Sequence, residues 1–364
     1  MKHSSLLRVC RSHLLVLAGG VVFWLLFLLL RPQRAVMNWI IDHLTTPWKQ
    51  GISWLFCLMP WSGMELCIAA GVVVAVWLIV RCVRRFRKEG KEILCRTLLV
   101  FCCAGVLIYD GFCLLWGINY YGDSFSDKSG LTAEPVSAEQ LYLTTRYYAD
   151  LAGSLAGEVE RDEGGAFAVS RKEIFAEAET VYEGISSRWS FLETPWRQPK
   201  GMIFSKIMSL TNFTGVYFPF TGESNLNVDS PACLLPSTIA HELAHQKNIA
   251  PEQEANFVAV LACRESGQTV YAYSGALLTY IYLGNALYQA DRELWKEVYQ
   301  SLDPLVRQDL DENNAYWARW ETRTAQAAEA IYTGFLQSYG QELGMKSYGA
   351  CVDLLVAEYL EGIE

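Results

Sequence analysis

The chain has 364 residues, 52% of them hydrophobic, and a formal net charge of −9. The charge is unevenly divided, because residues 1–117 carry 13 Lys and Arg against 5 Asp and Glu, whereas residues 118–364 carry 17 against 34. A basic, apolar first third followed by an acidic remainder is typical of a membrane anchor joined to a water-exposed domain. The acidity of the larger part makes nucleic acid a poor ligand.

Three apolar runs in the first third, at about 14–30, 64–80 and 98–116, approach the roughly 20 residues that a helix needs to cross a bilayer. The first run is followed by the basic segment 31–34 rather than by the small residues of a signal-peptide cleavage site, so we interpret it as a retained anchor. The sequence therefore predicts a multi-pass anchor at 1–117, with three transmembrane helices in the lipid bilayer.

Basic residues predict the orientation of this anchor. One cluster precedes the first run, and a second occupies a predicted loop of about 15 residues between the second and third runs. The second cluster comprises Arg81, Arg84, Arg85, Arg87, Lys88, Lys91 and Arg96. Because basic loops stay in the cytoplasm, we expect residues 118–364 to be extracytoplasmic. Between the first two runs, Trp39, Trp48, Trp54 and Trp61 predict a segment that lies at the outer membrane interface.

The segment from His241 to His245 reads HELAH, which is the clearest chemical motif in the chain. On a helix, residues i and i+4 share a face, so the two imidazoles converge on one point. Two imidazoles, a third protein ligand and a water make a catalytic Zn²⁺ site. Glu242 lies beside the first imidazole and can take a proton from that water. The motif predicts zinc-assisted hydrolysis of a peptide bond.

The third zinc ligand is predicted to be a carboxylate, because His241 and His245 are the only histidines beyond residue 117. The next segment offers Glu252 and Glu254, at the start of a helix that follows a break at 248–251. At about 100° per residue their side chains point roughly 200° apart, so only one of them can face the metal. Glu252 shares a face with Asn256 and the small Ala255, which favours Glu252, and Glu254 is the alternative.

Two resemblances add to this reasoning. HELAHQ followed by EQEANF resembles the gluzincin pattern HExxH…ExxA(D/N), which implies His241, His245 and Glu252 as zinc ligands and Glu242 as general base. The spacing differs from that of many gluzincins, because only six residues separate His245 from Glu252. Longer stretches resemble a bacterial membrane family known as domain of unknown function 3810, which is predicted to be a membrane-bound zinc metallopeptidase. These stretches are WGINYY at 116–121, FPFTGESNLNVDSP at 218–231, PSTIAHELAHQKNIAPEQEANFVAVLAC at 236–263 and YSG at 273–275.

The remainder of residues 118–364 is predicted to be mainly helical. Capping boxes begin at Ser137 and Ser170, and later stretches have the apolar period of a helix, at about 251–265, 274–290, 304–315 and 317–337. The exception is the segment Thr214–Val228, which predicts either a short hairpin with an edge strand or a surface turn. An edge strand at this position in a zincin binds an extended substrate by β-augmentation.

A developing oxyanion needs a hydrogen-bond donor, and Tyr271, Tyr273 or an Arg could supply it. We select Tyr273 as the catalytic candidate, with packing in the core as its alternative role. Cys233 and Cys263 flank the metal motif, so they predict either one disulfide or free thiols.

The fold class expected from the sequence is mainly α with a small β element. Three N-terminal transmembrane helices precede a zincin-like (gluzincin) metallopeptidase domain at 118–364. The expected function is that of a membrane-anchored, Zn²⁺-dependent metallopeptidase that hydrolyses a peptide or protein substrate, with Glu242 as general base. The alternative is a catalytically inactive, zinc-binding membrane sensor or binding module. The presence of Glu242 favours the enzyme, because a purely structural zinc site does not need that carboxylate.

Overall fold

The computed structural model describes residues 2–132, 135–195, 197–341 and 348–362. Helices hold 73% of the residues and strands 4%, which confirms the predicted mainly α chain with a small β element. The α-helices of the described residues are α1 (Lys2–Leu30), α2 (Arg34–Ile40), α3 (Thr46–Cys57), α4 (Gly63–Glu89), α5 (Lys91–Leu115), α6 (Phe125–Ser129), α7 (Ala138–Ala156), α8 (Arg171–Glu177), α9 (Glu183–Arg188), α10 (Ser205–Leu210), α11 (Leu235–Gln246), α12 (Glu252–Glu265), α13 (Thr269–Ala290), α14 (Arg292–Ser301), α15 (Pro304–Ala318), α16 (Arg323–Ser338) and α17 (Tyr348–Glu361). The strands are β1 (Lys200–Gly201), β2 (Gly215–Phe218) and β3 (Glu223–Leu226).

Among the described residues, three helices are long and apolar enough to cross a membrane: α1 from Cys10, α4 and α5. Most of their apolar side chains are exposed in the isolated chain, as expected of helices that lipid surrounds. Helix α5 packs against both α1 and α4. Gly20 allows the close approach of α1, because a Cβ there would collide with the side chain of Val106. The chain is thus organised as a multi-pass membrane protein, as the sequence predicts.

The basic segment between α4 and α5 differs from the predicted loop. Both helices continue through the arginine cluster, and the chain reverses at Gly90, whose φ is +57°. Glycine adopts this left-handed conformation without steric cost, so one residue replaces a loop. Long basic side chains are compatible with a helix that leaves the apolar layer, because their charged ends reach water while their stems remain apolar.

The segment between α1 and α4 consists of α2, a π-helical turn at Ile41–Thr45 and α3. Trp48 and Trp54 on α3 are more than half exposed, whereas Lys49 of the same helix is buried. The Lys49 ammonium donates a hydrogen bond to the Asn248 side chain, just beyond the end of α11. The hydrogen bond of Lys49 attaches α3 to the domain that follows α5, and the interfacial position of the exposed tryptophans stays a prediction.

The core of that domain surrounds α12 and α13. Residues 254–263 of α12 are all buried, because the helix packs against α11, α13 and α17. Helix α13 packs along α7 as well. A helix that is buried on every side needs neighbouring elements on all its faces, and residues 254–263 of α12 meet this condition. Cys233 and Cys263 lie in this core as free thiols, so the packing alternative for them is correct and the disulfide is not.

Helix boundaries agree with the sequence in part. The capping box at Ser137 is present in both directions, whereas the Ser170 side chain caps its helix in one direction only. The stretches predicted at 251–265 and 304–315 correspond to α12 and α15. The stretch predicted at 317–337 begins only at Arg323, since α15 continues to Ala318 and Thr322 then caps α16. The stretch predicted at 274–290 lies within α13, and the sequence did not predict α6, α9, α10, α14 and α17 individually.

The strands form a sheet of order β1-β3-β2, with β1 parallel and β2 antiparallel to β3. The segment Thr214–Val228 is therefore a hairpin, and β2 is its edge strand. The Thr214 carbonyl accepts from Asn227 N–H, and the Leu226 carbonyl accepts from Met202 N–H next to β1. In an antiparallel ladder such bonds alternate along the strand, so the backbone groups of Gly215 and Tyr217 face away from β3.

Candidate metal centre

The HELAH motif lies on helix α11, and one face of this helix lines a cavity. Its Ile239, Ala240 and Ala244 are fully buried in the core, whereas His241 is partly exposed on the other face. The helix ends at Gln246, and Asn248 follows with φ +67°. This left-handed turn is the usual way to end a helix, and it directs the chain at once into α12. The first residue of α12 is thereby brought back over the last turn of α11.

Three potential metal ligands converge at this point. His241 Nε2 lies 3.3 Å from Glu252 Oε2, and His245 Nε2 lies 3.7 Å from Glu252 Oε1. One donor atom from each of the three side chains lies within 4.8 Å of the others. Tetrahedral zinc with bonds of about 2.1 Å would need its donor atoms about 3.4 Å apart. The set of two imidazoles and one carboxylate therefore fits a zinc ion without a large rearrangement.

Neighbouring groups hold His245 and Glu252 in orientations suited to metal coordination. The Nδ1–H of His245 donates to the Ile249 carbonyl at 2.6 Å, which leaves the lone pair of Nε2 directed at Glu252. The Tyr332 hydroxyl donates to Glu252 Oε1 at 2.6 Å. The indole ring of Trp116 stands edge-on to the His245 ring, with 5.2 Å between their centroids. These contacts fix the positions of the His245 and Glu252 side chains.

Electrostatics favour the protonation states of His245 and Glu252 that a metal requires. Burial lowers the pKa of His245 to about 4, so this imidazole is neutral near pH 7. Burial opposes a charge on Glu252, but its hydrogen bond with His241 and the two imidazoles outweigh that effect and lower its pKa to about 2. Burial lowers the pKa of His241, but Glu252 outweighs that effect and raises it overall, so a metal would have to displace a proton from this imidazole. A carboxylate and a neutral imidazole are the forms that coordinate metals.

Glu242 lies beside this cluster and is 3% exposed. Its carboxylate accepts a hydrogen bond from the backbone of Tyr217, whereas Glu242 Oε2 has no partner among the described residues. Burial raises its pKa to about 8. Gly215 makes room for it, since a Cβ at that position would lie 2.5 Å from Glu242 Oε1. A buried carboxylate with a free oxygen and a raised pKa is suited to accept and return a proton.

All four side chains line a cavity of about 530 Å³. One wall is the edge strand β2, and another is α16, with Tyr332 and Phe335. Phe112 and Trp116 complete the lining from the end of the membrane helix α5. Residues on both sides of the domain boundary predicted at residue 117 therefore line the cavity.

The structure separates the two candidate glutamates. Glu252 meets the histidines, whereas the Glu254 carboxylate accepts from the backbone N–H groups of Phe125 at 2.7 Å and Ser126 at 3.3 Å. Glu254 thus caps helix α6, on the other side of α12. Asn256 lies on the cavity side, as expected from the shared face, and its side-chain oxygen accepts from Tyr282 at 3.1 Å.

The tyrosines differ from the sequence expectation. Tyr273 is fully buried away from the cavity, and its hydroxyl donates to Asp309 in the core. Tyr271 is also buried, and its hydroxyl donates to the Ile174 carbonyl at 2.8 Å. Tyr273 is therefore not a candidate for a role at the metal. Tyr332 occupies the cavity instead, and no sequence signal marked it, because it belongs to α16, 80 residues beyond Glu252.

Comparisons with curated proteins and with solved structures found no match. A family model described as protein of unknown function (DUF3810) matches residues 43–356. The match includes the second and third membrane helices, the hairpin, and His241, Glu242, His245 and Glu252. Its description names no activity, so the metallopeptidase assignment stays a prediction. Because the match spans most of the sequence, the chain belongs to the DUF3810 family.

Proposed function

We propose that this protein is a membrane-bound, zinc-dependent peptidase of the gluzincin type. The observation that carries the proposal is the convergence of His241, His245 and Glu252 in one cavity, beside the buried carboxylate of Glu242. A structural zinc site is closed by four protein ligands, whereas a catalytic site has three and an open position. Zinc bound by these residues would supply Lewis acidity and lower the pKa of a bound water.

Glu242 is the proposed general base. Its unpartnered oxygen can accept a proton from the attacking water and later deliver that proton to the leaving amine. The Tyr217 backbone N–H holds the carboxylate in place. Tyr332 acts as a positioning residue, because its hydroxyl bonds to Glu252 and keeps that ligand aimed at the histidines.

The cavity supports a peptide as the substrate. Strand β2 turns the Gly215 amide and the carbonyls of Gly215 and Tyr217 away from β3, towards an open edge. An extended peptide can pair with such an edge by main-chain hydrogen bonds. The described lining contains no Lys or Arg, which disfavours a phosphate ester, and its Phe213, Trp317 and Phe335 favour apolar side chains.

The test uses the full-length protein in lipid nanodiscs, loaded with zinc and incubated with a peptide library. Glu242→Gln keeps the size of the side chain but removes the base, so hydrolysis should fall by about 10²–10⁴-fold while zinc content is unchanged. Glu254→Gln is the matched control and should retain activity. Equal hydrolysis by wild type and Glu242→Gln would refute the peptidase. A zinc-loaded wild type that cleaves nothing would favour the inactive sensor or binding module.

We also propose that the domain formed by residues 118–364, called the metal domain below, is extracytoplasmic. The arginine cluster lies at the Gly90 end of α4 and α5, and the domain joins the opposite end of α5. Basic segments beside membrane helices remain in the cytoplasm. A reporter that is active only outside the cell should be active after residue 364 and silent when inserted at residue 90. The reverse pattern would place the cavity in the cytoplasm.

A further inference from the structure

An apolar surface on the metal domain is unexplained by the proposed chemistry. Ile203, Phe204 and Ile207 are 69%, 56% and 60% exposed, and Leu210 is 36% exposed. Ile207 and Leu210 belong to the short helix α10, and Ile203 and Phe204 precede it. The other side of α10 is buried against the sheet, where Ser205 and Ser209 accept hydrogen bonds from Val228 and Asn227. Within the described residues beyond 117, half of the exposed large apolar side chains lie in this one segment. Such a concentrated patch is typical of an interaction surface.

The patch is fixed at the end of a membrane helix. The Glu65 carboxylate, in the first turn of α4, accepts from the backbone N–H groups of Ile203 at 3.1 Å and Phe204 at 2.8 Å. The exposed apolar surface of α4 begins at Leu66 and continues at Ile68, which is only about 4.5 Å further along the helix axis than Glu65. The apolar patch therefore lies at the level where α4 enters the bilayer.

Other contacts make this attachment rigid. The Ser62 hydroxyl, which caps α4, donates to Asn225 of β3 at 2.6 Å. The Lys200 ammonium of β1 donates to the carbonyls of Phe56 at 2.7 Å and Trp61 at 3.0 Å. The sheet that carries α10 is thus bonded to both sides of the turn between α3 and α4. The patch cannot move away from the membrane surface unless these buried bonds break.

We infer that Ile203, Phe204, Ile207 and Leu210 insert into the lipid bilayer beside α4 and hold the mouth of the metal cavity at the membrane surface. Lipid is the occupant that the position favours, because the patch continues the lipid-facing surface of α4 and the exposed tryptophans of α3. Lys206 is exposed within the patch, where its ammonium can reach lipid phosphates while its stem remains apolar.

The insertion has a consequence for the substrate, and this consequence rests on the proposed peptidase function. The chain runs from α10 through Asn212 and Phe213 of the cavity lining directly into β2. Phe112, one turn inside the end of α5, lines the cavity from the other side. The cavity lining therefore includes the end of a membrane helix, beside which a peptide segment next to a membrane anchor would lie. The substrates that fit are membrane-anchored polypeptides.

The consequence for the substrate is tested with one peptide sequence in two forms, free and attached to a lipid anchor, on the full-length protein in nanodiscs. Confinement to the membrane raises the local concentration, so the anchored form should be cleaved on the order of tenfold faster or more. Equal rates would overturn this substrate class. Cleavage of neither form would overturn the peptidase itself, and the insertion would still be decided by the following measurement.

The insertion is tested without catalysis, with a fluorescent amino acid placed at single positions of the full-length protein in nanodiscs. Ile207 is the test position, Val73 on α4 is the lipid control, and Leu143 on α7 is the water control; all three are exposed in the isolated chain. Brominated lipid should quench the probe at Ile207 as strongly as at Val73, and aqueous iodide should quench neither.

Iodide quenching at Ile207 equal to that at Leu143 would overturn the insertion. Protection at Ile207 from both quenchers would also overturn it, because a protein contact would then cover the patch. The probe at Ile203 repeats the measurement at the most exposed residue of the patch. This repeat keeps the test decisive if the Ile207 variant does not fold.

Discussion

Two buried polar clusters of the metal domain satisfy their charges in different ways. In the core cluster, Arg161 Nη1 donates to both carboxylate oxygens of Asp309 at 2.9 Å, and the Tyr273 hydroxyl donates to the same carboxylate. One cation balances one anion there. In the cavity cluster, Glu242 and Glu252 face two imidazoles, of which His245 is neutral, and Glu242 Oε2 has no partner in the described chain.

This difference indicates which cluster is a site. Buried polar groups are nearly always hydrogen-bonded, and buried charges are paired or coordinate a metal. The core cluster balances its charge through its own ion pair, with Arg161 Nη2 left without a hydrogen-bond partner among the described residues. The cavity cluster leaves Glu242 Oε2 without a partner among the described residues and lines a space of about 530 Å³, so a cation and a water would complete it. The predictions below test this contrast.

The largest expected effect is the loss of the metal. His241→Ala or His245→Ala leaves two ligands, which cannot compete with solvent, so zinc should fall from about one per chain to none. Tyr273→Phe, in the core cluster, should leave the zinc content unchanged. Metal analysis of the purified full-length variants measures both outcomes. If the His241→Ala protein retained stoichiometric zinc, the cavity cluster would not be the metal site.

The next effect separates the neighbouring glutamates of α12. Glu252→Gln replaces a charged ligand with a neutral amide, so zinc affinity should fall by more than about tenfold. Changing a residue that only supports a ligand already weakens metal binding by about tenfold or more, and losing a ligand should cost more than that. Glu254→Gln should keep the metal but lower the free energy of unfolding by about 1–2 kcal/mol, because its charge-assisted bonds to the start of α6 weaken. Competition with a chelator and denaturation measure the two effects. The opposite pattern would assign the ligand to Glu254.

The smallest effect contrasts one tyrosine from each cluster. Tyr332→Phe frees Glu252 from its hydroxyl partner, so zinc should bind about tenfold more weakly while stability changes little. Tyr273→Phe removes a donor from the buried Asp309, so stability should fall by about 1–3 kcal/mol with zinc affinity unchanged. Thermal denaturation and chelator competition on both variants give the comparison. Equal effects on zinc would contradict the separate roles of the two clusters.

These pairs also show how far sequence alone could lead. Glu252 and Glu254 could be separated because the helical period fixes their faces over a few residues, and the contacts of both agree with that reasoning. The hairpin was foreseen only as one of two alternatives. Tyr273 and Tyr332 could not be separated, because both lie on helices with apolar surroundings. Which of the two hydroxyls reaches Glu252 depends on how α13 and α16 pack, and no local pattern encodes that packing.

The contribution of the end of α5 to the cavity also could not be predicted from the sequence. Trp116 appears there as the end of an apolar run, whereas in the fold its ring packs against His245. Lys49 appears as one charge in a tryptophan-rich segment, yet it is buried against Asn248 at the end of α11. Both contacts join residues more than 100 positions apart, so they follow from tertiary structure alone.

The most direct test of the central claim is the X-ray absorption spectrum of zinc bound to the full-length protein. A site of His241, His245 and Glu252 should give one zinc per chain with nitrogen and oxygen neighbours at about 2.0–2.2 Å, including two imidazoles, and no sulfur. The cysteines of the described metal domain, Cys233, Cys263 and Cys351, are buried free thiols and none belongs to the cluster. A sulfur shell at about 2.3 Å, or a protein that retains no zinc, would contradict the account.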